Sequence, residues 1–346
     1  MLKLYTDTQF LTETHRKEVF PLLFDLHFKP DERLAHYYEV VESIAACDII
    51  VMPIDYTRFI KHKKAFDALL KASKTNHKPL WIYTAGDFGF TNYIKNSYTF
   101  RLGGFDSTLS DTNFIMPAFI NDPYVAQMPN SFSVLKKTKK PSIGFVGHAQ
   151  SGFLKYLKEG VGHLKVGVIR ALHRVLVDAQ VFYPSSVKRA GYLSALLKDN
   201  RIDSHFILRN KYRAGVTSEA EKQKSMIEFY ENIFNNAYTF CSRGVGNFSV
   251  RFYETLAMGR IPILLNTDCR LPLHTTIDWK THCVIIEEAE VHKMPAHILA
   301  FHEALSSADF ENIQHNNREI WKTKLMRHAY FIAIHDVFIA KLEVHE

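Results

Sequence analysis

The sequence contains few cysteines and none of the cysteine motifs that bind zinc or build disulfide frameworks. Its four cysteines among 346 residues are Cys47, Cys241, Cys269 and Cys283, and no two of them are spaced as CxxC. This usage argues against a zinc ribbon and a small disulfide-rich domain, and a reducing compartment is the simplest interpretation.

Long apolar segments are also absent. No apolar run approaches the roughly 20 residues that a membrane-spanning helix requires. The first residues, MLKLYTDTQFLTETHRKEVF, lack the basic start and sustained apolar run of a signal peptide. We therefore expect a cytoplasmic protein, with peripheral association at the inner face of a membrane as the alternative. Lys61, Lys63, Lys64 and the lysines near 136–140 are candidates for such contact, although similar lysines usually form a solvated face.

Motifs for metal and nucleic-acid binding are missing as well. The eighteen histidines form no HExxH or Cys/His ligand pattern, and neither Asp-x-Asp nor a P-loop occurs. The net charge of +7 fits an acidic ligand or an ordinary soluble protein, but the basic residues are not interleaved with aromatics as in nucleic-acid-binding modules. We expect no metal, no cofactor and no nucleic-acid partner.

Short apolar strands alternate with helices in both halves of the chain. CDIIVMPID, YTRFIKHKKAFDALLKAS and KPLWIYTAGDFG form a strand, helix and strand, a βαβ unit that implies a parallel sheet. The second half repeats the pattern, from the strand SIGFVGH through a helix predicted at 166–179 to the strands DSHFILRN, AYTFCS and RIPILL. We predict the α/β class, with two Rossmann-like doubly wound domains whose ligands bind at the carboxyl ends of the strands.

The domain boundaries follow from composition. A stretch rich in lysine and proline near Lys136–Pro141 is predicted to be an interdomain linker. We assign 1–140 to a first Rossmann-like domain, 141–320 to a second Rossmann-like domain, and 321–346 to C-terminal helices that cross back to the first domain.

The segment CSRGVGNFSVRFYETLAMGRIPILL, residues 241–265, reads as a glycine-containing loop, a helix and a strand. Asn247 is a candidate N-cap, and the free N–H groups of a helix N-terminus attract anions. Gly244 and Gly246 would allow a tight turn and close approach of a ligand. Arg243 and Arg251 would neutralise a diphosphate.

Glu254 lies three residues after Arg251, so both side chains share one face of the helix. A carboxylate at this distance from a phosphate site suits a ribose diol. The alternative is a surface ion pair between Arg251 and Glu254 beside an ordinary loop. A second glycine-rich sequence, GVGHLKVG at 160–167, is not interpreted as a dinucleotide loop because a helical pattern precedes it.

The same segment resembles the C-terminal signature of the exostosin-like glycosyltransferases over about Ala237–Val291. The matching positions are Arg243, Gly244, Ser249, Arg251, Phe252, Glu254, Gly259, Ile261 and Pro262. The resemblance implies a GT-B fold, with two Rossmann-like domains facing each other across a cleft. It also implies an inverting transferase whose C-terminal domain holds a nucleotide-sugar donor, with a UDP-sugar as our first expectation. The N-terminal domain, 1–140, would hold the acceptor, a glycan or a lipid-linked saccharide, and Ser249 of the nucleotide-binding domain, 141–320, would contact phosphate.

Several further residues are candidates for this chemistry. Inversion requires a base from the first domain, for which Asp87 is our first candidate and Asp55 our second. Arg209 and His148 are candidate donor contacts. The alternatives are turn-capping aspartates, a solvated arginine and a loop histidine without a role. The helix N-terminus and the arginines would stabilise the departing diphosphate without a metal ion.

Two other functions fit the sequence. A GDP-fucose-dependent α1,3-fucosyltransferase-like enzyme has a similar helix–strand pattern, and a non-catalytic glycan-binding member would keep the fold without turnover. For the enzyme, we expect Arg251→Ala and Glu254→Ala to abolish transfer with little loss of folding.

Overall fold

The structure is a computed structural model that describes residues 1–210, 215–216 and 218–343, and it divides into two compact units. The first unit comprises Met1–Phe119, Leu172–Ala179 and Thr323–Glu346, and the second comprises Ile120–Ala171 and Gln180–Lys322. The boundary predicted at 140/141 therefore lies inside the second unit.

The first unit contains a six-stranded parallel sheet within the described residues. Its strands are β1 Leu2–Tyr5, β2 Tyr38–Val40, β3 Ile49–Val51, β4 Leu80–Tyr83, β5 Ser97–Arg101 and β6 Asn113–Ile115, in the order β2-β1-β3-β4-β5-β6. Its helices are α1 Pro21–His27, α2 Glu32–Ala35, α3 Tyr56–Phe59, α4 Lys63–Thr75 and the C-terminal helix α12 Arg327–Glu343. Strand β3 is completely buried, as its uninterrupted β-branched sequence predicts.

The second unit contains a five-stranded parallel sheet, again counted in the described part of the chain. Its strands are β7 Ser142–His148, β8 Asp203–Arg209, β9 Tyr238–Cys241, β10 Ile261–Asn266 and β11 Val284–Glu287, in the order β11-β10-β9-β7-β8. Its helices are α5 Pro123–Ala126, α6 Phe153–Ala171, α7 Ser185–Leu197, α8 Glu219–Asn235, α9 Val250–Ala257, α10 Met294–Ala304 and α11 Ser307–Ile320.

The strand order of the second unit defines where its chain reverses direction across the sheet. Counted from its first strand, the order is 2-1-3-4-5, which is a doubly wound arrangement. Strands β7 and β9 lie next to each other at the reversal, and ligands of such sheets bind outside the carboxyl ends of these two strands. The predicted α/β class with two doubly wound parallel sheets, as the GT-B fold requires, is confirmed.

One predicted helix has the wrong bounds. The helix predicted at 166–179 begins at Phe153 and ends at Ala171, and residues 160–167 lie in its middle. Helix α7 was not predicted. The stretch predicted as a linker, Lys136–Pro141, lies within the second unit, where Lys136 Nζ donates to Glu311 Oε1 over 2.9 Å.

The C-terminal helical segment is interrupted. A π-helical turn, Trp321–Leu325, separates α11 from α12. The two helices on either side of this turn belong to different units.

Candidate functional site

The carboxyl ends of β7 and β9 carry the loops that form the candidate site. Strand β7 ends at His148, and β9 ends at Cys241 and leads directly into residues 242–249 before α9 begins. Strand β9 is fully buried, so the loop begins at the edge of a packed core. The glycine loop singled out in the sequence therefore lies at the topological switch point of the second unit, where ligands of this fold bind.

Arg189 of α7 joins the two strand ends, and sequence reasoning missed it. Its Nη1 donates to the His148 carbonyl oxygen over 2.7 Å, and its Nη2 donates to the Arg243 carbonyl oxygen over 2.8 Å. Its Nε donates to Ser242 Oγ over 3.0 Å. One turn earlier in α7, Ser186 Oγ accepts a hydrogen bond from the Gln150 N–H. The spacing of three residues places Ser186 and Arg189 on one face of the helix, and this spacing is the pattern that could have indicated Arg189 from the sequence.

Arg251 extends from the first turn of α9 towards β7. Its Nη2 donates to the Val146 carbonyl oxygen over 2.7 Å, and its guanidinium carbon lies 4.2 Å from the centre of the Phe145 ring. Its Nε has no hydrogen-bond partner among the described residues. An added Cβ at Gly147 would come within 2.8 Å of the Arg251 Nη2, so this glycine leaves room for the guanidinium.

Arg189 and Arg251 form a concentration of positive charge. Burial, and next the positive charge of Arg251, lower the pKa of Arg189 to about 10, while burial lowers the pKa of Arg251. In the part of the chain that the structure describes, neither guanidinium has a carboxylate within the 4.0 Å of an ion pair. Two half-buried cations near each other without a counter-ion are costly in the free protein, and a bound anion would relieve this cost.

Glu254 faces α8 and does not pair with Arg251. No ion pair within 4.0 Å joins these two described side chains, so the surface ion pair considered from the sequence is not formed. Burial raises the pKa of Glu254 to about 7, although the charge of Arg251 and a hydrogen bond from the Tyr230 hydroxyl oppose this effect. A half-buried carboxylate with spare acceptor capacity is available for a ligand hydroxyl.

The loop between β9 and α9 is ordered by Asn247, which is not the helix cap that the sequence predicted. The N-cap is Ser249, and its side chain makes no capping hydrogen bond. The Asn247 Nδ2 donates to the carbonyl oxygens of Thr267 and Asp268 over 3.0 and 2.8 Å, and its Oδ1 accepts from Thr267 Oγ1. Asn247 is thus committed to holding this loop against the loop after β10, which leaves the N-terminus of α9 without a side-chain cap.

The two glycines of this loop are not needed for a strained turn. Neither Gly244 nor Gly246 has a positive φ, and a Cβ at Gly244 would meet no atom within 4 Å. The loop therefore makes no turn that requires a left-handed conformation at residue 244 or 246. Close approach of a ligand to this backbone stays a prediction.

Arg243 is buried beside this loop. Its Nη2 donates to the Val245 carbonyl oxygen over 2.9 Å and to Gln180 Oε1 over 3.2 Å, and its guanidinium carbon lies 4.9 Å from the centre of the Tyr183 ring. A small pocket lies between this loop and the loop after β10. Arg243, Ser249, Phe252, Thr267 and Arg270 are among its lining residues.

His148 and Arg209 end adjacent strands, where they are paired in register. The His148 Nε2 lies 3.5 Å from Ser186 Oγ, and burial followed by the charges of Lys155 and Arg189 lowers the pKa of His148. Arg209 donates to Ser225 Oγ over 2.7 Å and forms an ion pair with Glu228, so its charge is already compensated. Arg213, four residues after Arg209 in the sequence, lies outside the described residues.

The two candidate bases occupy different environments in the first unit. Asp55 is buried, and its carboxylate accepts hydrogen bonds from the Ala85 N–H over 2.7 Å and from the Thr57 hydroxyl. Asp87 is exposed in the loop after β4, and no hydrogen bond is assigned to its carboxylate in the described structure. Asp55 therefore has a structural role that accounts for its position, whereas Asp87 has none.

The loop that carries Asp87 is held by a buried arginine of the same unit. Arg101 donates to the Phe88 carbonyl oxygen and to Asp178, each over 2.7 Å. Gly89, with φ +62°, lies against its guanidinium, and an added Cβ there would come within 2.5 Å of Arg101 Nη2. The residues that follow Asp87 are thus fixed in place.

Among the described residues, no group of three or more histidine, cysteine, aspartate or glutamate side chains is arranged to hold a metal ion. Within the same residues, no helix has both the length and the apolar character needed to cross a bilayer.

Comparison with known proteins relates part of the chain to the exostosins. Residues 188–300 match the model of the Exostosin GT47 domain, which confirms the exostosin-like resemblance over this part of the chain. The chain is 24% identical to Exostosin-1a of Danio rerio over 117 residues, which are 34% of this chain and 15% of that protein. It is 31% identical to an Exostosin-1 homolog of Caenorhabditis elegans over 68 residues, which are 20% of this chain and 18% of that protein. The chain thus spans a small part of these relatives.

Solved structures with a related arrangement of elements include an alpha1,3-fucosyltransferase, with 11% identity, a TM-score of 0.35, and coverage of 92% of this chain and 82% of that one. A glycosyltransferase from Rickettsia africae ESF-5 has 12% identity and a TM-score of 0.39, with coverage of 97% and 98%.

Proposed function

We propose that the protein is an inverting glycosyltransferase that takes a sugar from a nucleoside diphosphate donor. The observation that carries the proposal is the pair Arg189 and Arg251, two half-buried cations without a carboxylate within 4.0 Å among the described residues, at the switch point of a doubly wound sheet. A diphosphate supplies the missing negative charge. The Exostosin GT47 match covers both arginines and supports the same chemistry.

Each residue at the switch point has a role in this proposal. Arg251 and the free N–H groups at the start of α9 bind the diphosphate, and Arg189 holds the backbone of residues 148 and 243 around it. Ser249 donates to a phosphate oxygen, and the Glu254 carboxylate accepts hydrogen bonds from the ribose hydroxyls. Arg209, whose charge Glu228 compensates, contributes less than the sequence alone predicts.

The reaction is a displacement at the anomeric carbon of the sugar. The acceptor hydroxyl oxygen forms a bond to this carbon on the face opposite the diphosphate, and the bond from the carbon to the diphosphate oxygen breaks. The nucleoside diphosphate leaves with the electron pair, and the hydroxyl proton passes to a carboxylate. Asp87 is the proposed base, because its exposed carboxylate accepts no hydrogen bond from the residues that the structure describes. The arginines compensate the charge that develops on the leaving group, so no metal is required.

We further propose a UDP-sugar as donor, a glycan or lipid-linked saccharide as acceptor, and a cytoplasmic site of reaction with peripheral membrane contact. Calorimetric titration with UDP, GDP and UMP tests the donor. We expect UDP to bind more tightly than UMP, because the site is built around a diphosphate, and more tightly than GDP. Tighter binding of GDP would favour the fucosyltransferase-like alternative.

The matched control is Arg201→Ala, which removes an exposed arginine paired with Asp199 in the same unit. This variant should bind UDP like the wild type, whereas Arg251→Ala should not bind it measurably. If no nucleoside diphosphate binds the wild type, the enzyme proposal is wrong and a non-catalytic glycan-binding role becomes the better account.

A further inference from the structure

Helix α6 exposes a continuous apolar stripe along its whole length. Phe153–Ala171 is a 19-residue helix without a single buried residue. The side chains of the stripe are between 46% and 82% exposed, and they are Phe153, Leu154, Leu157, Val161, Leu164 and Val168. After the adjacent pair Phe153 and Leu154, steps of three and four residues keep the side chains on one face, in an arc about 100° wide. Monomeric soluble proteins rarely leave such a stripe uncovered.

The opposite face of α6 is the one that packs on the second unit. The ring of Tyr156 meets Phe182 edge-on, with 5.3 Å between centroids, and the His163 ring lies 5.4 Å from the same ring. Lys155 pairs with Glu159 over 3.3 Å on this inner side. Helix α6 therefore contacts the second unit through the face that carries Tyr156 and His163, and the apolar stripe is on the other face.

The charged residues of α6 indicate what kind of surface binds the apolar stripe. Within Phe153–Ala171, all of which the structure describes, Glu159 is the only acidic residue, and it pairs with Lys155 on the inner face. Lys158 and Lys165 are exposed and lie beside the stripe. An apolar stripe flanked by lysines and free of acids is the pattern of helices that lie in the surface of an anionic membrane.

A second copy of the chain fits this surface less well. In a parallel pair of α6 helices, Lys158 and Lys165 of each copy would lie near their own counterparts. In an antiparallel pair centred between Val161 and Gly162, Lys158 would approach Lys165 of the other copy. Both arrangements bring like charges together, and the outward face offers no acid to compensate them.

We propose that α6 docks the protein on an anionic membrane surface, with the stripe from Phe153 to Val168 in the acyl boundary and Lys158 and Lys165 at the lipid phosphates. The helix lies on the membrane and does not cross it. Its first residue follows the end of β7 by five positions, so docking holds the sheet edge with the candidate site close to the lipid surface. The proposal does not depend on sugar transfer.

Vesicle sedimentation of the full chain tests the proposal. The wild type should bind vesicles of phosphatidylcholine with phosphatidylglycerol, and bind vesicles of phosphatidylcholine alone at least about tenfold more weakly. Leu157→Glu with Leu164→Glu should lower binding to the anionic vesicles by at least about tenfold. The matched control, Val125→Glu with Leu197→Glu, places the same charges on exposed apolar positions elsewhere in the unit and should leave binding unchanged.

The lysines are tested in the same way. Lys158→Ser with Lys165→Ser should weaken binding to anionic vesicles, whereas Lys198→Ser with Lys224→Ser should not. Circular dichroism and thermal unfolding establish that each variant is folded. Equal binding of wild type and stripe variant overturns the proposal. So does a wild-type dimer, measured by light scattering, that the stripe variant abolishes without any vesicle binding by the wild type.

Discussion

The Arg189 Nη2 donates a hydrogen bond of 2.8 Å to the carbonyl oxygen of Arg243. This contact fixes the start of the loop after β9 to a helix that follows β7, and the Nη1 of the same side chain holds the end of β7. The backbone of the candidate site is therefore formed before any ligand arrives, which lowers the ordering cost of binding.

Replacement of Arg189 by lysine should weaken donor binding. An ammonium group cannot reproduce the three directions in which this guanidinium donates. We expect UDP affinity to fall by at least tenfold and the free energy of unfolding to fall by about 1–2 kcal/mol, measured by calorimetry and urea titration. Arg201→Lys serves as the control. Unchanged UDP affinity in Arg189→Lys would show that the strand ends do not need this arginine.

Arg251→Ala should remove donor binding and also destabilise the fold, which corrects the expectation from the sequence that folding would be unaffected. The substitution removes the stacking on Phe145 and the hydrogen bond to Val146, and we expect a loss of about 1–3 kcal/mol in the free energy of unfolding. Arg251→Lys keeps the positive charge but lacks the paired N–H donors of the guanidinium. It should therefore retain a larger share of the wild-type free energy of unfolding than of the wild-type UDP affinity. If both variants bind UDP as tightly as the wild type does, Arg251 does not contact the diphosphate.

Glu254→Gln should change how stability depends on pH. The pKa of Glu254 in the fold is about 7, above its ordinary value of 4.5. The stability that this group contributes is therefore fully present below pH 4.5 and is lost as the pH rises through 7. The difference in the free energy of unfolding, Glu254→Gln minus wild type, should increase from pH 5 to pH 8. The expected increase is on the order of 2–3 kcal/mol in urea titrations. A constant difference across this range would contradict the raised pKa.

The same carboxylate should make UDP binding pH-dependent. Ribose hydroxyls donate to the ionised form, so the UDP affinity of the wild type should rise as the pH passes through about 7. Glu254→Gln carries no titrating group here, and it reports the pH dependence that belongs to UDP itself. If the two profiles are parallel in calorimetric titrations, Glu254 does not contact the ribose.

The two candidate bases should respond differently to substitution. Asp87→Asn should lower turnover with UDP affinity and unfolding free energy unchanged, because its carboxylate is exposed. Asp55→Asn should lower the free energy of unfolding, because the buried carboxylate accepts hydrogen bonds from Ala85 and Thr57. Steady-state kinetics and thermal unfolding of both variants separate the roles, and a weakened UDP affinity in Asp87→Asn would exclude it as the base.

The elements that the sequence predicted well are those whose pattern matches their surroundings. Strands β9 and β10 are short apolar runs that are almost wholly buried, and both were predicted. The bounds of α6 were predicted wrongly because its apolar positions face solvent, so its periodicity did not mark a core contact.

The site was predictable only where it is local in the sequence. Arg243, Ser249, Arg251 and Glu254 share one segment, whereas Arg189 bonds to carbonyl groups 41 residues before it and 54 residues after it. Asn247 resembled a helix cap because its type and position fit one. Its actual partners, Thr267 and Asp268, come from a loop about twenty residues further along the chain, and no local pattern reveals them.

A crystal structure of the protein with UDP tests the central claim most directly, because it locates the diphosphate relative to the switch point. We predict that the diphosphate contacts the Arg251 guanidinium and the N–H groups at the start of α9, with the ribose hydroxyls at the Glu254 carboxylate. Binding of UDP at any other place on the second unit, with Arg189 and Arg251 left without an anion, would contradict the account.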